Sequence, residues 1–334
     1  MKDTPNNSMD VRAKQRLCLE RRPLNFSGLG GGFAPRHLNR SMLSCRGGKV
    51  PMIIIALQKF GIALLTVLLL AFSVAKAQEK DASIMTFDEY AKVSHGYPYI
   101  VELKIGKGAL LYFGARHNYD PKNAQVAQIE KLWKEFRPTV AYHESTGTSL
   151  SKTVDEAVSK SGESGLVRFL AAQGKVPVFS LEPNRNDEVA MMLKTYTPEQ
   201  IKLFFVLRQV PQFRERKTDE TLETFMTTFL SNVSRIAGLE SAPPNTIAEL
   251  DKSALWLSPQ LKDWRTADRS WSDPVASHAY TNQIARLSSE FRDLHMVKLL
   301  IDKVKQGERV FAVVGGSHVV MQERALKAVS SNAP

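Results

Sequence analysis

The sequence is almost without cysteine. Of its 334 residues only Cys18 and Cys45 are cysteines, and both lie before residue 77. The chain after that point has no thiol for a disulfide framework, for thiol catalysis or for a thiolate metal site. The H-E-x-x-H zinc motif, the phosphate-binding P-loop and the G-x-S-x-G nucleophile elbow are also missing from the sequence. The sequence therefore lacks the local signatures of three large hydrolase classes.

The part of the chain expected to fold has little net charge, although the formal net charge of the whole sequence is +11. Residues 1–77 hold 12 of the 45 Lys and Arg residues and 3 of the 34 Asp and Glu residues. The 33 basic and 31 acidic residues that remain nearly balance. Because a nucleic-acid-binding domain keeps its positive charge on the folded part, we expect no nucleic-acid partner.

The one long apolar run has the layout of a secretory signal peptide at residues 52–77. Fifteen uncharged residues, Phe60 to Val74, follow Lys59 and precede the small-x-small sequence Ala75–Ala77. We expect cleavage after Ala77 and export to the periplasm or the medium. The alternative is an uncleaved anchor over residues 50–74, which would be the chain's only contact with a membrane.

Residues 1–51 form a basic extension of this leader without sustained apolar periodicity. A signal peptide normally starts close to the first methionine. We therefore expect that translation starts downstream of Met1, at Met42 or Met52.

After residue 78, strand and helix patterns alternate in the way that is typical of α/β domains. The predicted strands are residues 99–105, 109–113, 139–142, 176–181 and 309–314. The predicted helices are 121–136, with Asp120 as N-cap, then 164–173, 276–306 and 319–329. We predict one domain over residues 78–334. Its α/β fold has a mixed, mostly parallel sheet flanked by helices, and a helical cap inserted at about 187–275 that becomes loop-rich after residue 237.

Four predicted strands end in polar residues that a buried strand would not favour. These residues are His117, Glu144, Glu182 and His318. In an open, mostly parallel sheet the carboxyl ends of the strands meet at one edge, where ligands bind. Two imidazoles and two carboxylates would then face one crevice. Such a set can hold a divalent metal with its water, or it can transfer protons to and from a water nucleophile.

Further polar residues could contribute to this crevice or have an ordinary structural role. Arg116, beside His117, would bind an anion or stabilise developing negative charge, or it is simply solvated. Arg292 and Asp293 would support the site from the long helix, or they form a pair on its surface. We expect His143 to point away from Glu144, because side chains alternate along a strand.

The motifs together resemble one protein superfamily. Its pattern is a strand that ends in G-x-x-H, two later acidic residues at strand ends, and a final strand that ends in G-x-x-H. Here these are Gly114–His117, Glu144, Glu182 and Gly315–His318. Arg292-Asp293 followed by Met296 resembles a further motif of some members. The chain is thus similar, over about residues 95–330, to the superfamily of TraB/PrgY and GumN proteins, Tiki proteases, ChaN-like proteins and erythromycin-esterase-like enzymes.

The resemblance implies a hydrolase-like site that is metal-dependent in the Tiki branch. On this basis we predict an exported hydrolase that acts on a small molecule or a peptide. His117, Glu144, Glu182 and His318 would hold Mn²⁺, Co²⁺ or Zn²⁺ with its water, and one carboxylate would be the general base. In a metal-free variant, His117 would be the base.

Two alternatives belong to other functional classes. ChaN-like relatives bind haem or iron without turnover, which would require histidine or tyrosine ligands from the same crevice. A catalytically silent member would serve a partner protein, and its function would survive the loss of His117 and His318.

Overall fold

The structure is a computed structural model that describes residues 83–215 and 219–331. The predicted signal peptide, its cleavage after Ala77 and the downstream start lie outside these ranges and stay predictions. Within the described ranges, no helix is both long enough and apolar enough to cross a bilayer.

A five-stranded sheet forms the centre of the fold. Its strands are β1 (Tyr99–Ile105), β2 (Gly108–Ala115), β3 (Val140–His143), β4 (Val178–Ser180) and β5 (Arg309–Gly315). The strand order is β1-β2-β5-β3-β4. The hairpin partner β1 is antiparallel to β2, and the other pairings are parallel. The predicted α/β class with a mixed, mostly parallel sheet is confirmed.

The described ranges contain one short helix before β1, and their other helices pack on the sheet or form the segment that joins β4 to the long helix before β5. They are α1 (Phe87–Tyr90), α2 (Ala124–Phe136), α3 (Val154–Gly174), α4 (Arg185–Met192), α5 (Pro198–Arg214), α6 (Leu222–Val233), α7 (Ile247–Leu257), α8 (Tyr280–Lys305) and α9 (Gly316–Ser331). Short 3-10 helices span Trp264–Thr266 and Arg269–Ser272.

The two faces of the sheet are covered because its strands are apolar on both sides. Alternate residues of β2 and β5 point to opposite faces. Tyr112 and Val310 pack on one face with residues of α8 and α9, such as Leu300. Phe113 and Phe311 pack on the other face with residues of α2 and α3. The result is three layers, in which the carboxyl ends of the parallel strands stay open at one edge.

A third apolar cluster lies within residues 185–272 and is built from α5, α6, α7 and the 3-10 helices. Leu207, Leu230, Leu250 and Trp264 are among its buried members. Thr197 caps α5 and forms a reciprocal capping box with Gln200. This helical segment occupies the stretch that the sequence assigns to a cap.

Three local predictions need correction. The helix predicted from Pro121 begins at Ala124, because Asn123 and not Asp120 accepts the hydrogen bond of the N-cap. The helix predicted over 164–173 extends back to Val154 through a break at Ser161 and Gly162. The stretch predicted as loop-rich contains α7, whose start is capped by Thr246.

Candidate functional site

The sheet order sorts the four predicted strand-end residues along one edge. His117 follows β2, His318 lies in the first turn of α9 after β5, Glu144 follows β3 and Glu182 follows β4. The strands end nearly level, because Ala115 pairs with Gly315 and His143 pairs with both Val313 and Ser180. The two histidines are therefore neighbours at this edge, and the two glutamates follow them.

The carboxylate of Glu144 faces both imidazoles. Its Oε1 is 3.4 Å from His318 Nε2, and its Oε2 is 3.9 Å from His117 Nε2. The Gly315 N–H donates a 2.6 Å hydrogen bond to Oε2. Burial alone would raise the pKa of Glu144. The charges of His318, Arg292 and His117 outweigh that effect and hold its pKa well below the usual range. Glu144 is thus a carboxylate at any pH near neutrality.

His117 is backed by a second carboxylate, Glu163. The Glu163 carboxylate bonds His117 Nδ1, which leaves Nε2 directed toward Glu144. That hydrogen bond raises the pKa of His117 to about 9, against the opposing effect of burial. Glu163 itself is buried, whereas 57% of the His117 side chain is exposed. His117 therefore presents an oriented imidazole to the space above the sheet edge.

His318 is held in the same way from the other side. Asp293 Oδ1 lies 2.6 Å from His318 Nδ1 and also accepts a 2.6 Å hydrogen bond from Gln322 Nε2. Tyr112 donates to Gln322 Oε1, which extends the buried chain into the sheet. Burial lowers the pKa of His318, but Asp293 and Glu144 outweigh it and raise the pKa to about 9.

Arg292 joins the two strand-end glutamates. Its Nε donates to Glu182 Oε2 at 2.8 Å, and its Nη2 donates to Glu182 Oε1 and, at 2.7 Å, to Glu144 Oε1. The guanidinium is buried. A buried arginine that bonds two carboxylates fixes both of them, so the structure places Glu182 against Arg292.

Neighbouring side chains approach the backbone closely at two glycines of the last G-x-x-H motif, Gly315 and Gly316, and leave little room for a Cβ atom. A Cβ on Gly315 would lie 3.0 Å from His117 Nε2 and 3.3 Å from Glu144 Oε2. A Cβ on Gly316 would lie 2.3 Å from the Tyr97 ring. Glycine at these positions lets the histidine, the carboxylate and the β1 side of the fold converge above the end of β5.

Two neighbouring cavities of about 650 and 470 Å³, which share several lining residues, lie between the sheet edge and the helical segment 185–272. Both are lined by His117, Glu144, Arg292, Arg208, Gln212 and Arg269. A depression of about 760 Å³ at the opposite ends of the strands is lined by residues such as Lys104 and Arg309. The cavities above the carboxyl edge are the ones that reach the histidines, and their volumes suit a small-molecule or peptide ligand.

Arg116 and His143 lie apart from this group. The Arg116 guanidinium lies over the Tyr97 ring, 5.7 Å from its centre, and does not line either of the two cavities. His143 is buried, and its Nδ1 accepts a hydrogen bond from the Ser145 N–H. Burial, with the nearby charge of Arg168, lowers the pKa of His143 to about 4.

The site contains the types of ligand atom that bind divalent metal ions in proteins. His117, His318 and Glu144 offer imidazole nitrogen and carboxylate oxygen, and both imidazoles have the carboxylate partner at Nδ1 that metal-binding histidines commonly have. Within residues 83–215 and 219–331, however, no group of three such side chains is arranged to hold a metal ion. Glu182 would have to leave Arg292 to become a ligand. The four-residue metal site stays a prediction.

Two residues of this site, Glu163 and Gln322, are not predicted from the sequence. Glu163 follows the break at Ser161 and Gly162, where Gly162 has a φ of +56°. A glycine within a helical stretch was the only signal for it. Gln322 lies one turn after His318 on α9, and nothing in its local sequence marked it. Arg292 and Asp293, which we expected in support of the site, both contact its central residues.

Comparison of the chain with protein-family models, with curated proteins and with solved structures gave no match. The resemblance described above therefore stays a prediction.

Proposed function

We propose that the chain is an exported hydrolase of small-molecule or peptide substrates, with a water-activating centre of His117, Glu144 and His318. One observation supports it most. Two imidazoles, each bonded to a carboxylate through Nδ1, direct their Nε2 atoms toward the two oxygens of a third carboxylate. This arrangement lies at the carboxyl edge of the sheet, beneath two ligand-sized cavities.

The roles follow from exposure and from bonding. Glu144 carries negative charge and lines both cavities, so it is the acceptor for a proton of the attacking water. His117, whose side chain is half exposed, donates a proton to the leaving group, and Glu163 fixes its orientation. His318 is buried and holds the other oxygen of Glu144 in place.

Arg292 supplies fixed positive charge beside the same carboxylate. It bonds both Glu144 and Glu182, so the position of Glu144 depends on it. If a divalent cation is bound, His117, His318 and Glu144 would hold it. Such a cation would lower the pKa of bound water and polarise the scissile bond.

The test is a hydrolysis screen of the purified protein on peptides and on carboxylic and phosphoric esters, paired with elemental analysis. The proposal expects turnover that is lost in Glu144→Gln and in a His117→Ala/His318→Ala variant. It expects no loss in Glu156→Gln, a half-buried glutamate of α3 that pairs at the surface with Lys160 and lines neither cavity. Turnover that persists in Glu144→Gln would refute it. A visible absorption band of haem in the purified protein would favour the binding alternative instead.

A further inference from the structure

Arg208 has no partner for its charge among the described residues. It lies on α5, is partly buried, and lines both cavities above the sheet edge. Within the described ranges its guanidinium forms no ion pair and no hydrogen bond, and the nearby carboxylates of Glu182 and Glu188 are paired with other arginines. The desolvation of this arginine is therefore offset only in part, by the charges of Glu182 and Glu188, and not by a direct ion pair.

The other arginines that line the cavities are paired. Arg292 bonds Glu144 and Glu182, Arg185 bonds Glu188, and Arg269 bonds Glu215. The carboxylates around Arg208 are therefore already bound to other cations. Burial and the nearby Arg292 charge lower the pKa of Arg208 to about 10, which still leaves it charged at neutral pH.

We infer that Arg208 binds an oxyanion of the substrate, a carboxylate or a phosphate, next to the reacting bond. The inference rests on the proposed function and narrows its substrate class to anionic compounds. A guanidinium binds either oxyanion through two parallel hydrogen bonds. Gln212 lines the same two cavities one helical turn after Arg208 and offers an amide donor beside it.

The position of Arg208, which lines both cavities, determines where a bound anion would lie. Arg208, Glu144 and His117 line both cavities. A substrate whose anionic group contacts Arg208 therefore lies beside the water-activating centre. It can extend into the cavity on either side, as a peptide or a branched ester would.

The test measures anion binding directly. Inorganic phosphate and N-acetylglycine are titrated into the purified protein at fixed ionic strength and followed by NMR chemical shifts. The variants are Arg208→Gln, Arg208→Lys and Arg235→Gln, an exposed arginine of the same helical segment that lines neither cavity. We expect saturable binding of at least one anion that weakens tenfold or more in Arg208→Gln, weakens less in Arg208→Lys, and is unchanged in Arg235→Gln.

The anion that binds more tightly assigns the substrate class, carboxylate or phosphate. Binding of neither anion, or equal binding in Arg208→Gln, would overturn the inference. Thermal unfolding is a second readout. Removal of a charge whose desolvation is offset only in part should leave the melting temperature equal or higher, and a drop of several degrees would show a structural role and also overturn the inference. Neither readout measures turnover, so failure of this inference and failure of the hydrolase proposal are distinguishable.

Discussion

Asp293 and His318 are 25 residues apart in the chain, and their side chains meet in the interior with Oδ1 and Nδ1 2.6 Å apart. Asp293 is fully buried on α8, and His318 is buried at the start of α9. The aspartate fixes which nitrogen of His318 faces Glu144. The geometry of the centre formed by His117, Glu144 and His318 therefore depends on a helix residue that does not follow any strand.

The substitution Asp293→Asn should lower the pKa of His318 from about 9 toward its usual value, because the charge that favours the imidazolium is lost. We expect hydrolysis to fall about 10- to 100-fold, as for other partners that orient functional histidines. NMR titration of the histidine ring protons measures the shift. Asp302→Asn is the control, since Asp302 lies on the same helix and pairs only at the surface with Lys298. An unchanged His318 titration would contradict the assigned role.

The substitution Glu163→Gln should act on His117 in the same direction. Its hydrogen bond is the main cause of the raised pKa of His117, so the pKa should fall below about 9. Turnover should fall with it, while the fold persists. Glu156→Gln on the same helix should change neither quantity, because Glu156 is paired at the surface with Lys160. Equal effects of the two substitutions would show that Glu163 has no special role.

The substitution Gly315→Ala should push His117 away from Glu144. The new methyl group would lie 3.0 Å from His117 Nε2, which is closer than ordinary van der Waals contact. We expect a loss of turnover of tenfold or more and a destabilisation of about 1–3 kcal/mol from overpacking. Gly96→Ala is the control, since no atom lies within 4 Å of the added Cβ there. Full activity of Gly315→Ala would mean that the two side chains do not work together.

The substitution Arg292→Gln should destabilise the protein by about 3–5 kcal/mol, because two mostly buried carboxylates lose their common buried partner. Denaturant unfolding measures the loss. The double variant Arg292→Gln/Glu182→Gln should recover part of it, because one uncompensated charge is removed. A loss below about 1 kcal/mol, the range of an exposed pair, would contradict the buried geometry.

The buried His143 should make the free energy of unfolding depend on pH. The pKa of His143 is about 4 in the folded protein, against 6.5 for an unperturbed histidine. The folded state therefore binds a proton at His143 less readily than the unfolded state does. Stability is therefore lost as the pH falls from about 6.5 to 4, by up to about 3 kcal/mol. His143→Asn keeps the acceptor for Ser145 N–H and should flatten the curve in this window. His117 and His318 have raised pKa values, so their contribution is full below pH 6.5 and is lost as the pH rises through about 9.

The fold was predictable because its signals are local. The apolar runs of β2 and β5 and the long amphipathic pattern of α8 each specify an element without knowledge of its neighbours. The gathering of His117, Glu144 and His318 was predictable as well, since the carboxyl ends of parallel strands meet at one edge. Those inferences needed only element type and order.

The remaining features of the site depend on packing between distant segments. Glu163 reaches His117 because α3 breaks at Gly162, and the break is stabilised by contacts that the local sequence does not encode. The bonding of Glu182 to Arg292 depends on how α8 lies across the sheet. Arg208 is marked only by the absence of a partner, which becomes visible when the neighbours of α5 are known.

In the proposed function, Glu144 and its two imidazoles activate the water that attacks the substrate. The most direct measurement is hydrolysis of a mixed peptide and ester library in ¹⁸O-labelled water, with product mass spectra for the wild type and for Glu144→Gln. The account predicts products that carry one ¹⁸O atom with the wild type and none above background with the variant. Absence of labelled product from the wild type, or equal labelling by both proteins, would contradict it.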